Sequence, residues 1–443
     1  MTITETLAEF VTKTNHDDMP PLAIEHAKVI VSSTIASAAM GRDIGSARII
    51  REMSQERGGT PEASIWFDGG AKLPVMDAAR TNATLSDAAA SDDTDLAGSG
   101  HLGTVTSTAA VAMGERVGAS GKDVLAAIVL GYDVANRIGS HNGAGQVGIH
   151  AGVNTIFGAT VAAGKLLGLT TEQMTHALSL AATSIGGIGI AANTSWVREY
   201  DATLSSTLAF TAAMAAQKGF FAETKVLEMP RGFFEIYKGE NIEGVTANLG
   251  KKWGILDDLA IKLMPGTWAY QALAEAAWTA MKEGNLKHED VAEIKVSGRR
   301  FGGHMVYHPT DLIGVAHSLP YMLAGAVVDG RYSWEHAEPA KYLDPVINAM
   351  QDKVVEGEPS PFAVRGGGTV KITTTDGRSF SSTMEHPGGS GPRGIEWSEI
   401  DYKFRTLASL GGLSSARIDQ TVTALHNMQD MKTMSELTDL LRP

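Results

Sequence analysis

The pattern of hydrophobic and polar positions divides the chain into two parts. From residue 2 to about residue 264, apolar side chains recur at helical spacing with few interruptions, as in the run Leu125, Ile128, Val129 and Tyr132. Pro20 and Pro21 stand where a helix begins, and Gly168 followed by Thr170 marks the end of one helix and the cap of the next. The pattern therefore predicts a large all-helical domain.

After residue 265 the pattern changes. Val291–Ser297 alternates as a half-buried strand does, and Thr369–Met384 contains two β-rich runs around an Asp-Gly pair, which is typical of a hairpin. Helical stretches are predicted between them, over Leu312–Val328 and Trp334–Lys353, and helical spacing returns from Glu396. The predicted fold class is therefore mainly α. A lid-like α+β domain at 265–395 interrupts a helical domain formed by 1–264 and 396–443.

Composition excludes several classes of function. The 443 residues include no Cys, which excludes disulfides, thiolate metal ligands and a Cys nucleophile, and the zinc motif HExxH is absent. The formal charge of −13 argues against a nucleic-acid partner. No secretory signal is recognisable, so we expect a cytoplasmic protein. Two uncharged stretches, Ala177–Trp196 and Ala202–Gln217, are rich in Ser, Thr and Gly, and we interpret them as buried core helices rather than membrane spans.

Candidate chemistry concentrates in the segment Ser91–Thr104, which reads SDDTDLAGSGHLGT. Three carboxylates, several glycines and His101 lie there between two predicted helices, a favoured place for catalytic groups. The alternative interpretation is a helix cap followed by a solvated surface loop. His150 precedes a helix of small residues and could be either a functional group or a core or capping histidine.

Three further positions leave two interpretations open. Lys262 lies in an otherwise apolar segment, where it is either a buried functional amine or a side chain that reaches to solvent. Ser318 and Tyr321 precede an apolar helix, where the tyrosine could belong to the core. Arg299 and Arg300 form either an anion clamp or a solvated basic pair. The Gly186-Gly-Ile-Gly run lacks the preceding strand of a dinucleotide loop.

Taken together and in order, these segments resemble the MmgE/PrpD family, which includes dehydratases, decarboxylases and epimerases of small carboxylates. The resemblance runs almost from end to end of the chain. It is carried by Asp92-Asp-Thr with His101, Gly131-Tyr-Asp with Arg137, Gly148-Ile-His150, Lys165-Leu-Leu-Gly-Leu, Ala216-Gln-Lys-Gly-Phe, Lys262-Leu-Met-Pro, His317-Ser-Leu-Pro-Tyr and Lys403-Phe-Arg.

The resemblance implies a helical domain, a smaller α/β domain, an active-site cleft between them and a homodimer, with neither metal nor organic cofactor. It also implies the residues of the site. Matched by position, the predicted catalytic residues are His101, His150, Lys262 and Tyr321; the predicted substrate-binding residues are Asp93, Thr94, Arg198 and Ser318.

The chain departs from the lyase pattern of that family at three places. Ala90 stands where the lyase branches have Asp, His101 lies one residue further from the Asp-Asp-Thr motif, and Arg198 replaces a Lys. Because Arg cannot act as a base, we expect Arg198 to hold a substrate carboxylate. These departures favour epimerisation of a dicarboxylate of the iminodisuccinate type. Dehydration of a hydroxy-polycarboxylate of the 2-methylcitrate type, decarboxylation of the cis-aconitate type and a non-catalytic binding role remain as alternatives.

Overall fold

The computed structural model describes residues 1–98, 100–184, 186–298, 301 and 305–443. Arg299 and Arg300, interpreted above as a clamp or a basic pair, lie outside the described residues. The chain forms two compact units, the first made of 1–259 with 396–443 and the second of 260–395. The predicted domain boundary at 264 falls five residues beyond the junction seen here. The predicted class, mainly α with a smaller α+β part, is confirmed.

Helices build the first unit. The first ten are α1 Ile3–Lys13, α2 Pro21–Gly41, α3 Gly45–Arg57, α4 Val75–Ala88, α5 Leu102–Val117, α6 Gly121–Ser140, α7 Thr155–Leu166, α8 Thr171–Ala182, α9 Gly189–Thr194 and α10 Val197–Gln217. Two single turns, α11 Phe233–Ile236 and α12 Gly254–Asp257, follow. Short strands β1 Ala63–Ser64, β2 Lys72–Leu73 and β3 Asp93–Asp95 lie between the helices, and β4 Leu259–Ile261 spans the junction of the units. Short 3-10 turns include Ala144–Val147 and Ala151–Asn154.

Local sequence explains where these helices begin. Thr2, Ser120 and Thr170 each accept a hydrogen bond from the third residue of the following helix, whose side chain bonds back to the cap. Pro21 opens α2, as the sequence predicted. The small residues of α7 allow α6 and α7 to pack with their backbones close together, because a Cβ at Gly131 in α6 would lie 2.6 Å from the carbonyl oxygen of Gly158.

Two expectations for this part of the chain were wrong. Residues 218–253 hold only a few single turns rather than continuous helix. Ala177–Trp196 is not one buried helix, because α8 ends at Ala182 and the side chains of Ile188 and Trp196 are 63% and 46% exposed. Gly186 and Gly187 break the helical run there. Within the described residues, no helix combines the length and the apolar character needed to cross a membrane.

The second unit packs helices against one mixed sheet. Strands β5 Val291–Ser297, β6 Val354–Glu356, β7 Gly368–Thr374 and β8 Ser379–Met384 pair in the order β6-β5-β7-β8. The β5–β6 pair is parallel and the other two pairs are antiparallel. The predicted strand β5 and the predicted hairpin are confirmed, and the hairpin turns at Gly377, whose φ is +86°.

The helices of this unit are shorter than predicted. They are α13 Trp268–Glu283, α14 Leu312–His317, α15 Leu319–Val328, α16 Pro339–Tyr342 and α17 Pro345–Gln351. The predicted helix 312–328 is interrupted at Ser318, which caps α15, and the predicted helix 334–353 restarts at Pro339 and Pro345. Proline supplies no backbone N–H and is tolerated best in the first turn of a helix, so each restart coincides with one.

The chain then returns to the first unit with α18 Trp397–Ala408, α19 Ser415–His426 and α20 Ser435–Thr438. Helix α18 packs on α2, and its side chains Ile400, Phe404 and Leu407 are fully buried. The C-terminal segment therefore completes the helical core, as expected from its apolar spacing.

Candidate active site

The first part of the segment that joins α4 to α5 is buried, so the interpretation as a solvated surface loop is wrong for residues 91–96, whereas Ala97 and Gly98 are exposed. Residues 91–95 are all at most 2% exposed. Asp95 accepts hydrogen bonds from Asn136 and Tyr132 of α6, at 2.7 and 3.2 Å. A buried loop is stable only when its polar groups are satisfied. The bonds of this loop therefore decide the geometry of the site.

Asp93 connects this loop to the start of α5. Its two carboxylate oxygens accept the backbone N–H groups of Gly103 and Thr104, at 2.7 and 2.8 Å. Asp93 thus satisfies the first turn of α5 without being adjacent to it in sequence. Burial and the neighbouring Asp92 raise the pKa of the Asp93 carboxyl. Thr94, the other predicted neighbour of the substrate, is buried beside it.

His101 directly precedes α5 and its Nδ1 faces this loop. The Nδ1 lies 2.7 Å from the carbonyl oxygen of Asp93 and 3.0 Å from Oδ2 of Asp92. The same Oδ2 accepts a hydrogen bond from the hydroxyl of Thr104 at 3.1 Å. The imidazole is therefore oriented by a carboxylate that is itself held in place, an arrangement typical of functional histidines.

His150 lies on a second loop, before the 3-10 turn Ala151–Asn154. Its Nδ1 accepts the backbone N–H of Gly152 at 3.3 Å and lies 3.5 Å from Oδ2 of Asp201 in α10. The backbone N–H of His150 donates to the carbonyl oxygen of Gly187 at 3.0 Å. A capping role and a nearby carboxylate thus coexist at this histidine.

The two histidine loops touch. Gly100, which precedes His101 and has a φ of +101°, packs so closely on the second loop that a Cβ there would lie 3.0 Å from the carbonyl oxygen of Ala151. Any larger residue would therefore push the loops apart, in addition to being strained at this φ. The first unit thus brings the segments of His101 and His150 together, which sequence alone did not require.

Arg198, at the start of α10, is bound to acidic groups of the protein. Its Nε donates to Oδ2 of Asp87 at 3.0 Å, its Nη2 donates to the Asp87 carbonyl oxygen at 2.6 Å, and Glu199 lies 3.4 Å away. Burial opposes the charged guanidinium, but the carboxylates of Asp87 and Glu199 outweigh it, so the pKa of Arg198 lies above its usual value. Its predicted contact with a substrate carboxylate stays a prediction.

Glu199, next to Arg198 in α10, is an acid with a strongly raised pKa. Burial raises the pKa of the Glu199 carboxyl to about 7, although Arg198 beside it favours the charged form. Its Oε2 has no hydrogen-bond partner within the part of the chain that the structure describes. Negative charge from Asp87 and Asp92 acts in the same direction as burial. The carboxylates of Asp87, Asp92 and Glu199 are therefore close together, and Arg198 is the cation that contacts Asp87 and Glu199.

The predicted residues of the second unit occupy different settings. Lys262 follows β4 and is 2% exposed, so it is a buried amine rather than a side chain that reaches to solvent. Ser318 caps α15 by accepting the N–H of Tyr321 at 3.0 Å, and its hydroxyl donates to the carbonyl oxygen of Val306 at 2.7 Å.

Tyr321 belongs to the apolar core of its unit. The ring is fully buried against Tyr332, and its hydroxyl donates to the carbonyl oxygen of His336 at 2.8 Å. Burial raises the pKa of the Tyr321 phenol. This is the environment of a structural tyrosine, and its predicted catalytic role has no support from these contacts.

Two groups of described side chains converge closely enough to surround a cation. They are Asp87, Asp92 and His101 in the first unit and Asp329, Glu335 and His336 in the second. In both groups a protein cation already contacts the carboxylates, namely Arg198 at Asp87 and Lys341 at Asp329. We therefore assign no metal to either group.

The chain matches two family models that together span most of its length. Residues 5–243 match the MmgE/PrpD N-terminal domain and residues 265–427 match the MmgE/PrpD C-terminal domain. The chain belongs to the MmgE/PrpD family. The resemblance stated from the sequence is thereby confirmed. The two MmgE/PrpD models also meet near the junction of the two compact units.

Relatives within the MmgE/PrpD family include two kinds of lyase. The chain is 26% identical to a cis-aconitate decarboxylase of Aspergillus terreus over 98% of this chain and 95% of that protein. It is 22% identical to the human cis-aconitate decarboxylase over 99% and 94%. A 2-methylcitrate dehydratase of Salmonella typhimurium is 24% identical over 61% of this chain and 60% of its own length. These relatives favour the lyase alternatives over the epimerisation expected from the broken motif.

Sequence reasoning did not single out the partners of the predicted residues. Asp92 was only part of a motif, and Asp87, Glu199 and Asp201 carried no role. Asp201 follows Arg198 by three residues, so both project from one side of a helix start, and that spacing is a usable signal. Which histidine Asp201 approaches depends on the packing of α10 on the turn before α7, which no local pattern reveals.

Proposed function

We propose that this protein is a lyase that breaks a bond next to a carboxylate of a small polycarboxylate, and that the bond is a carbon–carbon bond, so that CO₂ is released. One observation carries the proposal: two histidine loops meet in one unit, and each imidazole has a carboxylate at its Nδ1. The reaction needs a group that exchanges protons with carbon and groups that stabilise an enolate-like charge. The similarity to decarboxylases over nearly the whole chain favours decarboxylation.

The hydrogen bonds of the two histidines support opposite roles. A carbonyl oxygen can only accept, so the bond from His101 to Asp93 O places the proton on Nδ1 and the lone pair on Nε2. At His150 the Gly152 N–H donates to Nδ1, which places the proton on Nε2. We infer that Nε2 of His101 exchanges a proton with the substrate and that Nε2–H of His150 donates a hydrogen bond to it.

These roles suffice for the proposed reaction. When CO₂ leaves, the electron pair of the broken C–C bond remains on the substrate as a carbanion conjugated with a carboxylate. His101, protonated at Nε2 as an imidazolium paired with Asp92, donates that proton to the carbon and is then reprotonated by solvent. The Nε2–H of His150 hydrogen-bonds the carboxylate that carries the enolate-like charge. Arg198 and Lys262 are proposed to stabilise the negative charge, with Asp93 and Thr94 beside the substrate. Ser318 and Tyr321 are assigned to the stability of the second unit.

Dehydration is the second candidate, because the 2-methylcitrate dehydratases share 24% identity with this chain over 61% of it. In that reaction His101 would remove a proton next to a carboxylate and return it to the leaving hydroxyl, to which Nε2–H of His150 donates a hydrogen bond. A C–H and a C–O bond break, a C=C bond forms and water departs. The same two groups serve both reactions, so the substrate decides between them.

Proton NMR in D₂O distinguishes the reactions directly. The enzyme is dialysed against EDTA and incubated separately with cis-aconitate, 2-methylcitrate and iminodisuccinate. We expect loss of cis-aconitate with release of CO₂ and deuterium at the carbon that lost it. A new C=C bond formed from 2-methylcitrate, seen as a vinylic proton or as the singlet of an allylic methyl group, would establish dehydration instead. Deuterium exchange at the α-carbon of iminodisuccinate without conversion to another compound would establish epimerisation and overturn the proposal. Activity that returns only with an added metal would contradict cofactor independence.

A further inference from the structure

A buried lysine of the C-terminal segment contacts the loop that carries the candidate site. Lys403, on α18, is 1% exposed. Its ammonium group donates to the hydroxyl of Ser33 at 2.7 Å and to the carbonyl oxygen of Ser91. Burying an ammonium is costly unless it is hydrogen-bonded, so such a lysine is retained only where its bonds matter. The mechanism proposed above makes no use of it.

The carbonyl that Lys403 holds belongs to the residue before Asp92. The hydroxyl of Ser91 also donates to Ser37 at 2.9 Å, so helices α2 and α18 together fix this residue. The preceding Ala90 has a φ of +49°, a conformation that costs a non-glycine residue energy and needs support from its surroundings. The backbone entering Asp92 is thus held from outside the loop.

Movement of this peptide would be transmitted to His101. Asp92 is one residue on, and its Oδ2 lies 3.0 Å from Nδ1 of His101. A hydrogen bond from an ammonium to a carbonyl is stronger than a neutral one and fixes its acceptor well. We propose that Lys403 is a positioning residue, which holds the Ser91 peptide so that the Asp92 carboxylate orients the imidazole of His101. The inference rests on the proposed function only in giving His101 a chemical role.

The chain supplies matched variants for a test. Lys403→Met removes the donor and the charge, whereas Lys403→Gln removes the charge and keeps an N–H donor. Ser37→Ala removes the second anchor of Ser91 with little change of volume. Lys28→Met is the control, because Lys28 is also buried, also contacts α2 residues, and bonds to Glu25 and the carbonyl oxygen of His426 instead of the loop.

The primary measurement needs no substrate. The His101 imidazole is titrated by NMR with ¹⁵N-labelled histidine and assigned by the resonance that His101→Gln removes from the 13 histidines. The other charges around it, those of Asp87, Asp92, Asp93 and Arg198, are unchanged in every variant. If Lys403 positions Asp92, Lys403→Met weakens the pairing of the imidazolium and lowers its titration midpoint. Removal of a nearby positive charge alone would raise that midpoint, so the sign separates the two effects.

We expect the titration midpoint of His101 to fall in Lys403→Met and to fall by a smaller amount in Ser37→Ala. In Lys403→Gln it should return towards the parent value, and in Lys28→Met it should not change. Where turnover is measurable, kcat falls by up to about 100-fold in Lys403→Met with KM little changed, because a misplaced catalytic group loses rate rather than binding. An unchanged or raised midpoint overturns the proposal, and if Lys403→Met does not fold, Ser37→Ala decides by the same criterion. A lowered midpoint in a protein that turns over no carboxylate would refute the proposed function and leave this inference standing.

Discussion

The predicted site residues of the two units have different kinds of hydrogen-bond partner. In the first unit they meet carboxylates, since His101 meets Asp92 and Arg198 meets Asp87. In the second unit, the hydroxyls of Ser318 and Tyr321 donate to backbone carbonyl oxygens. The carboxylates of the first set and the hydroxyls of the second are buried to a similar degree.

The difference teaches that burial and motif membership do not by themselves mark a catalytic group. Nearly every buried polar group in a protein finds a partner. A hydroxyl that donates to a backbone carbonyl oxygen keeps its proton at neutral pH. An imidazole beside a carboxylate can take up and release a proton at that pH. Among the predicted site residues, the histidines of the first unit therefore have the partners suited to acid–base chemistry, whereas the hydroxyls of Ser318 and Tyr321 are satisfied by backbone carbonyl oxygens.

The largest expected effect is on turnover and falls on the histidines. His101→Asn and His150→Asn should each lower kcat by roughly 100-fold or more, the scale of general acid–base catalysis, and Lys262→Ala should do the same if its amine stabilises charge. The melting temperature of the two histidine variants should stay near that of the parent, since neither ring is part of the apolar core. Turnover is followed by the NMR assay described above.

His288→Asn is the control, because His288 lies on a 3-10 turn of the second unit with its imidazole near Glu289 at the surface. It should leave kcat unchanged. Full activity of both His101→Asn and His150→Asn would remove the basis for the comparison between the units.

A smaller effect is expected for Arg198→Lys. Lysine keeps the charge but loses the two-nitrogen contact with Asp87, so the free energy of unfolding should fall by about 1–3 kcal/mol in denaturant titrations. If Arg198 also holds a substrate carboxylate, KM should rise more than kcat falls. A stability loss with unchanged KM would show that Arg198 serves only as an internal counter-ion of Asp87 and Glu199.

The smallest effect is expected for Tyr321→Phe. The variant removes one buried hydrogen bond and keeps the ring, so the free energy of unfolding should fall by about 1 kcal/mol while kcat changes less than about twofold. The measurements are thermal unfolding and the same turnover assay. A loss of turnover as large as that of the histidine variants, without loss of stability, would make Tyr321 catalytic after all.

Local sequence patterns were sufficient for much of the fold. The hairpin around Gly377, the strand β5 and the capped helices follow from turn chemistry and spacing that act over a few residues. The residues that interrupt the predicted helices, Ser318, Pro339 and Pro345, are typical of a helix start. The apolar residues at helical spacing on either side of them nevertheless favour one continuous helix. The exposure of Ile188 and Trp196 depends on tertiary packing, which spacing does not reveal.

The sequence by itself determined the family, the mainly helical class and the histidines and lysine whose chemistry stood out, because each follows from residue type and order. The tertiary structure alone decided which acid faces which base. Asp92 to His101, Asp201 to His150, Asp87 to Arg198 and Lys403 to Ser91 join residues separated by 9 to 312 positions. Most of these contacts form only when α2, α4, α10 and α18 pack, and packing depends on the whole core rather than on any local pattern.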